Sequence, residues 1–155
     1  MQVFDEPIDG PRAAALVDAL LAEFLELYGP GTTEPYPAEV FAAPDGAFVV
    51  GLDNGTPVAC GGLIRFDATT AELKRMYVAK GVRGRGLSRT LLTAIEERAR
   101  ALGYIRIVLE TGTRQAAAVR LYESAGYGHI PCYPPYEDRA ISICMARTLT
   151  PAPAA

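Results

Sequence analysis

The stretch Val78-Ala-Lys-Gly-Val-Arg-Gly-Arg-Gly-Leu-Ser-Arg89 carries the most information in the chain. An apolar strand pattern ends at Val78, a glycine- and arginine-rich loop follows, and a helical pattern begins at Leu87. The first N–H groups of a helix have no partner within it and carry partial positive charge, so a loop feeding a helix start binds anions. Gly84 and Gly86 let the backbone approach a ligand closely, and Arg83 and Arg85 add positive charge. The expected ligand carries a phosphate or diphosphate. A tight turn with solvated arginines is the plainer alternative. A dinucleotide fingerprint is another, since Gly84-x-Gly86 precedes a helix and Glu110 ends the next strand. Its third glycine, however, falls on Arg89, and the loop is too long after Val78 for that motif's tight turn. A Walker loop fails because no Gly-Lys-Ser/Thr is present.

Working outward, Leu87, Leu91, Leu92, Ile95, Ala99 and Leu102 fall on one side of a helix over 87–102, closed by Gly103. Residues 104–110 form a short apolar strand. Thr113 is a candidate N-cap for a helix over 114–125, closed by Gly126. On the other side, 47–52, 57–66 and 71–78 read as strands joined by short turns, and are therefore expected to be antiparallel. Ala13, Leu16, Leu20, Phe24 and Leu27 mark an amphipathic helix over 11–28, with Pro11 in its first turn and Gly29-Pro30 at its end. Residues 29–39 read as an irregular loop. A last pair of strands is expected around 127–130 and 140–145, with a proline-rich crossing between them. With residues 2–4 as a first strand, the pattern predicts an α/β (α+β) domain: a mixed sheet with helices on both faces. One domain spans 1–149, and 150–155 is a tail with no regular element.

The 155 residues, half of them hydrophobic, suffice for one core. A net charge of −3 offers no basic surplus for a nucleic-acid binder. No apolar run approaches a membrane span, and no leader is visible, so neither membrane nor nucleic acid is expected as a partner. Cys60, Cys132 and Cys144 are odd in number and lack a CxxC pair, which argues against a disulfide framework or a zinc site. The expected compartment is the cytosol, and no metal is expected. His129, three residues before Cys132, is weak evidence for a dyad.

Arg83-Gly-Arg-Gly-Leu-Ser88 resembles the pyrophosphate loop of GNAT N-acetyltransferases, Arg/Gln-x-x-Gly-x-Gly/Ala, with Ser88 where Gly or Ala is usual. Glu72-Leu-Lys-Arg-Met-Tyr-Val78 resembles the family's fourth strand. Gln115-Ala-Ala-Ala-Val-Arg-Leu-Tyr-Glu-Ser-Ala-Gly-Tyr127 resembles its later Asn-x-x-Ala-x-x-Leu-Tyr-x-x-x-Gly-Phe segment. The matches cover residues 72–127.

The resemblance implies the GNAT fold, a mostly antiparallel sheet of six to seven strands, and acetyl-CoA as cosubstrate. It implies transfer of the acetyl group to a primary amine, by direct attack in a ternary complex. Residues 83–88 (Arg83, Gly84, Arg85, Gly86, Leu87, Ser88) would hold the diphosphate. The backbone of Met76, Tyr77 and Val78 would pair with the pantetheine arm, and Gln115 would hydrogen-bond it. Glu72 would be the general base, sharing a strand face with Lys74 and Met76, or else a strand glutamate paired with Lys74 or Arg75. Tyr122 would protonate the departing thiolate, or else pack against the sheet. Glu110 would face a substrate ammonium, or else be a capping or surface acid. Tyr133, Tyr136 and Glu137 would contact the acceptor, or else belong to a stiff surface loop. The 11–28 helix and the 29–39 loop would form the other wall. A small-molecule amine is the first expectation for the acceptor. A protein or peptide amine, and a non-catalytic acyl-CoA sensor, are the alternatives. Dimers are common in the family, so a homodimer is an expectation.

Overall fold

A computed structural model describes residues 1–151; residues 152–155 of the tail lie outside the described part. The strands are β1 (Gln2–Asp5), β2 (Ala47–Asp53), β3 (Thr56–Arg65), β4 (Thr70–Val78), β5 (Arg106–Gly112), β6 (Gly128–Ile130) and β7 (Ser142–Thr148). The helices are α1 (Pro11–Tyr28), α2 (Leu87–Ala101) and α3 (Ala116–Ser124), with short 3-10 turns at Ala38–Phe41 and Lys80–Val82. One seven-stranded sheet runs in the order β1-β2-β3-β4-β5-β7-β6. All pairings are antiparallel except β4–β5, where α2 supplies the crossover that a parallel pair requires.

Strand alternation divides the core between the two faces. Phe48, Val50, Cys60 and Ile64 pack with Ala13 and Leu16 of α1. Val49, Ala59, Leu63, Ala71 and Leu73 pack with Leu87, Leu91, Leu92, Ile95 and Ala99 of α2. Helices therefore cover both faces, as the two stripes predict. The stripe of α1 changes use along its length. Ala13 and Leu16 are buried in the core, whereas Leu20, Phe24 and Leu27 line the larger cavity toward the helix's far end.

Three expectations need correcting. β5 extends through Gly112, so Thr111 and Gly112 are strand rather than turn, and α3 starts after Gln115 with no side-chain cap from Thr113. Its N-terminus is instead fixed by tertiary contacts, described below. The two-residue alternation of β4 breaks at Arg75, which has φ +60°, a conformation uncommon for a residue with a Cβ. The register against β3 shifts there, with Gly62 opposite Lys74 but Cys60 opposite Tyr77. This bulge turns Met76 onto the α2 face, away from the side shared by Glu72 and Lys74. The Cys60 thiol, buried and pushed up to a pKa of about 12, donates to the Arg75 carbonyl at the bulge.

The third correction concerns the cysteines. Cys132 and Cys144 form a disulfide, with Cα atoms 5.0 Å apart. The pairing of β6 with β7 sets Ile130 opposite Cys144, bringing the start of the proline-rich crossing beside the last strand. Spacing in the sequence gives no hint of this. The bond excludes a Cys132–His129 dyad and removes the cysteine argument for a reducing compartment. Among the described residues, no helix is long and apolar enough to cross a membrane. Thiol titration of the folded, unreduced protein is expected to label essentially no cysteine, because Cys60 is buried and the other two are bonded to each other. Labelling of Cys132 and Cys144 without prior reduction would refute the bond.

Candidate active site

The parallel pairing of β4 and β5 stops at Leu73–Leu109. Beyond it, β4 continues beside β3 to Val78, while β5 continues beside β7 to Gly112. The two strand ends part, and the gap opens into two adjoining cavities.

The larger cavity, about 360 Å³, lies between the far half of α1, the end of β4, the 80–86 loop and the starts of α2 and α3. It is lined by Met76, Tyr77, Val78, Arg83, Gly84, Leu87, Ser88, Gln115 and Tyr122, nine of the twelve residues expected at the cofactor and catalytic sites. Arg85 and Gly86 belong to the same loop. Gly84 and Gly86 have φ of +83° and +78°, and a Cβ on either would meet no protein atom within 4 Å. Positive φ, rather than crowding within the protein, makes glycine necessary there. Gly86 is the N-cap of α2 and no side chain caps the helix, so its first N–H groups remain available to an anion.

The two arginines of the loop also make contacts within the protein. Arg83 donates to the Val78 carbonyl (2.8 Å) and to Glu23 of α1 (2.8 Å), with its guanidinium over the Tyr77 ring. Arg85 is paired with Asp53 at the end of β2 at 2.8 and 3.4 Å. Both brace the loop, and the main-chain N–H groups of the helix start are its donors without a partner in the protein.

The smaller cavity, about 110 Å³, is lined on one side by Phe24, Tyr28, Thr32, Thr33 and Glu34, and on the other by Lys74, Arg75, Glu110, Tyr136 and Arg139. The helix and the 29–39 loop thus form one wall, as the resemblance implies. Arg139 donates to Glu34 (2.6 Å) and to the Thr32 carbonyl (3.3 Å), and Tyr136 donates to Glu34 (3.0 Å). These bonds tie the proline-rich crossing to the opposite wall. Although burial raises the Glu34 carboxyl, Arg139 and Tyr136 outweigh it and hold the group below the usual glutamate range.

Glu110 also lines this cavity. Burial pushes its carboxyl above the usual range, opposed by the hydrogen bond from Ser142 at 2.7 Å. Tyr122 borders both cavities. Its phenol is raised by burial, and its hydroxyl donates to the Met76 thioether at 3.5 Å, a weak acceptor.

The remaining expected residues are placed otherwise. Glu72 lines neither cavity. It is buried one strand step beyond Lys74, accepting from Tyr133 (2.8 Å) with the Lys74 ammonium 3.5 Å away. Tyr133 packs between Phe66 and Tyr136 and also lines neither cavity. Glu137 is exposed in the crossing. Glu34, Lys74, Arg75 and Arg139 are cavity residues that sequence reasoning did not assign. The quoted Glu72–Val78 segment held two of them, but only the bulge and the crossing bring the four together.

Gln115 has a structural task as well. Its side-chain carbonyl accepts from Tyr28 (3.0 Å) and from the Gly112 N–H (3.1 Å), locking the end of α1 to the β5–α3 turn.

A sheet parted between β4 and β5, with an uncapped helix start after the 83–86 loop and a buried tyrosine at the junction of two cavities, has the layout of an acyl-CoA-dependent acyltransferase. The chain belongs to the acetyltransferase (GNAT) family, whose model matches residues 14–127. A protein of Azospirillum brasilense named IAA acetyltransferase is 36% identical over 149 residues, covering 89% of this chain and 95% of that one. The crystal structure of a putative acyl-CoA N-acyltransferase from Klebsiella pneumoniae is 28% identical, with a TM-score of 0.79 over 96% of this chain and 97% of that one. A GNAT acetyltransferase from Elizabethkingia anophelis with acetyl-CoA bound has the same fold, at 17% identity and a TM-score of 0.68 over 96% and 97% of the two chains. The protein is an acetyl-CoA-dependent N-acetyltransferase.

The Tyr28–Gln115–Gly112 junction gives a direct test. A Cβ on Gly112 would lie 1.8 Å from the Tyr28 hydroxyl. Gly112→Ala is expected to destabilise the protein by about 1–3 kcal/mol through overpacking, and to raise the KM for acetyl-CoA. An unchanged melting temperature would show that the junction does not hold α1 in place.

Proposed function

We propose that the acceptor is the primary amine of a small molecule, attacked directly by way of the smaller cavity while acetyl-CoA occupies the larger one. The observation that carries this reading is the clasp of Arg139 and Tyr136 on Glu34. It ties the two walls together across a cavity of about 110 Å³, a volume suited to a small amine rather than to a length of polypeptide.

Acetyl-CoA supplies an activated acyl carbon, and the chain supplies proton handling and position. A free alkylammonium has a pKa of about 10.4 and must lose a proton before it can attack. Glu110 is the acid suited to take it. It borders the cavity, and burial raises its carboxyl toward the range where a carboxylate is an effective base. Glu72, bonded to Tyr133 and beside Lys74, holds Lys74 in place instead. The nitrogen then bonds to the acyl carbon as the carbon–sulfur bond breaks. Tyr122, kept protonated by burial, donates its proton to the departing sulfur, and the second proton that the nitrogen sheds as the amide forms restores the phenol, while Glu110 returns its own proton to solvent. Its partner Met76 Sδ is a weak acceptor, so a sulfur with developing charge competes for the hydroxyl readily. The catalytic presence of Glu110 and Tyr122 favours an enzyme over a sensor.

Thiol release from acetyl-CoA across a panel of amines, amino acids, polyamines, aminoglycosides and peptides tests the reading. Turnover with a small amine is expected, and turnover with peptides alone would overturn it. Tyr122→Phe and Glu110→Gln are each expected to lower kcat by about 100-fold or more, with acetyl-CoA affinity nearly unchanged. Because the base must be ionised and its pKa is raised, kcat/KM should climb with pH along a limb set above the usual glutamate range. The limb should vanish in Glu110→Gln, and a limb that survives would assign it to another group.

A further inference from the structure

We propose that the amine acetylated here also carries a carboxylate, so that the substrate is an amino acid or a close amino-carboxylate analogue; this rests on the small-molecule reading above. The charge balance of the cavity wall carries the inference. Three cations, Lys74, Arg75 and Arg139, border the smaller cavity, together with only two carboxylates, Glu34 and Glu110.

The acids are unequal. Both oxygens of Glu34 are taken within the protein, one by Arg139 at 2.6 Å and the other by Tyr136 at 3.0 Å. One Glu110 oxygen accepts from Ser142, and the other is open to an ammonium. The third acid of the cluster, Glu72, stands behind Lys74, with one oxygen shared between the Tyr133 hydroxyl and the Lys74 ammonium. With Glu110 ionised, three cations face three carboxylates. Once Glu110 accepts the proton of the substrate ammonium it becomes neutral, and the cluster is left with one positive charge in excess. An uncompensated charge in a buried site is costly, and a carboxylate on the substrate removes the imbalance.

The cations also have donors to spare. The Lys74 ammonium, 8% exposed, bonds to the Tyr136 hydroxyl and sits against the rings of Tyr36 and Tyr136. Its remaining acid neighbour is 3.5 Å away. Arg75 donates to the Glu34 main-chain carbonyl and lies over the Tyr36 ring, which uses few of its five N–H groups. Amine at Glu110 and carboxylate toward Lys74 and Arg75 therefore match opposite signs at both ends of a small molecule. A polyamine or aminoglycoside would instead bring further ammonium groups beside three cations.

The test compares, on the wild-type enzyme, amino acids with their carboxamides and with the amines left by removing the carboxyl group. Each is followed by thiol release, with calorimetric acetyl-CoA binding alongside. The acid is expected to exceed its matched carboxamide in kcat/KM by at least about tenfold, the lower end of what a charge-assisted hydrogen bond contributes. Lys74→Met should shrink that ratio toward one, mainly through a rise in the KM of the acid. The wild-type ratio stands as evidence even if this variant does not fold. Equal or better turnover of carboxamides, simple amines or polyamines would overturn the carboxylate requirement and leave the small-molecule reading intact. Acetyl-CoA binding without turnover of any small amine would overturn both.

Discussion

The parting of β4 from β5 after Leu73–Leu109 is the constraint on which the site depends. A parallel pair that stayed zipped to its end would bury the main chain of Met76–Val78 in a ladder and leave no cleft. The bulge at Arg75 accompanies the parting. It places a side chain at φ +60°, turns Met76 and Tyr77 to new faces, and hands its carbonyl to the Cys60 thiol. An outlier of this kind costs of order 1–3 kcal/mol and persists only where its surroundings hold it. Here the surroundings are the Cys60 contact, the bond from the Arg75 guanidinium to the Glu34 carbonyl, and the Tyr36 ring.

The gap is kept in shape by ties that cross it. Arg83 joins the 83–86 loop to Glu23 of α1. Gln115 joins the β5–α3 turn to Tyr28 at the end of the same helix. Arg139 and Tyr136 join the proline-rich crossing to Glu34. The first pair is partly exposed and screened, so its energetic worth is small; its contribution is position. The crossing is anchored at its base by the bond from Cys132 to Cys144 of β7 and at its tip by Glu34, so both walls of the smaller cavity are fixed relative to β5, which carries Glu110.

Charge is distributed to match. The arginines of the 83–86 loop pair with Glu23 and Asp53, and the main-chain N–H groups of the uncapped helix start have no partner in the protein. In the smaller cavity side chains carry the charge. Burial of Glu110 there works against its ionised form, and burial of Tyr122 at the junction works against its loss of a proton. The two groups are thus biased in the directions that taking and giving a proton require.

The sequence by itself determined the element order, the two helical stripes, the loop at 83–88 and the tyrosine of α3, because periodicity, glycine placement and a short motif are local properties. Helix α1 is legible to the residue, since Pro11 and Gly29 mark its ends. Only the tertiary structure decided which groups meet. The bulge at Arg75 breaks the alternation from which Glu72 and Met76 were expected to share a face. Cys132 and Cys144 come together because β6 pairs with β7 in a register that no local signal encodes. Glu34, Lys74 and Arg139, far apart in the chain, form one cavity wall because a strand end, a loop and a crossing converge where β4 and β5 part. Such convergence depends on long-range pairing and on packing across a gap, and neither leaves a periodic trace in the chain.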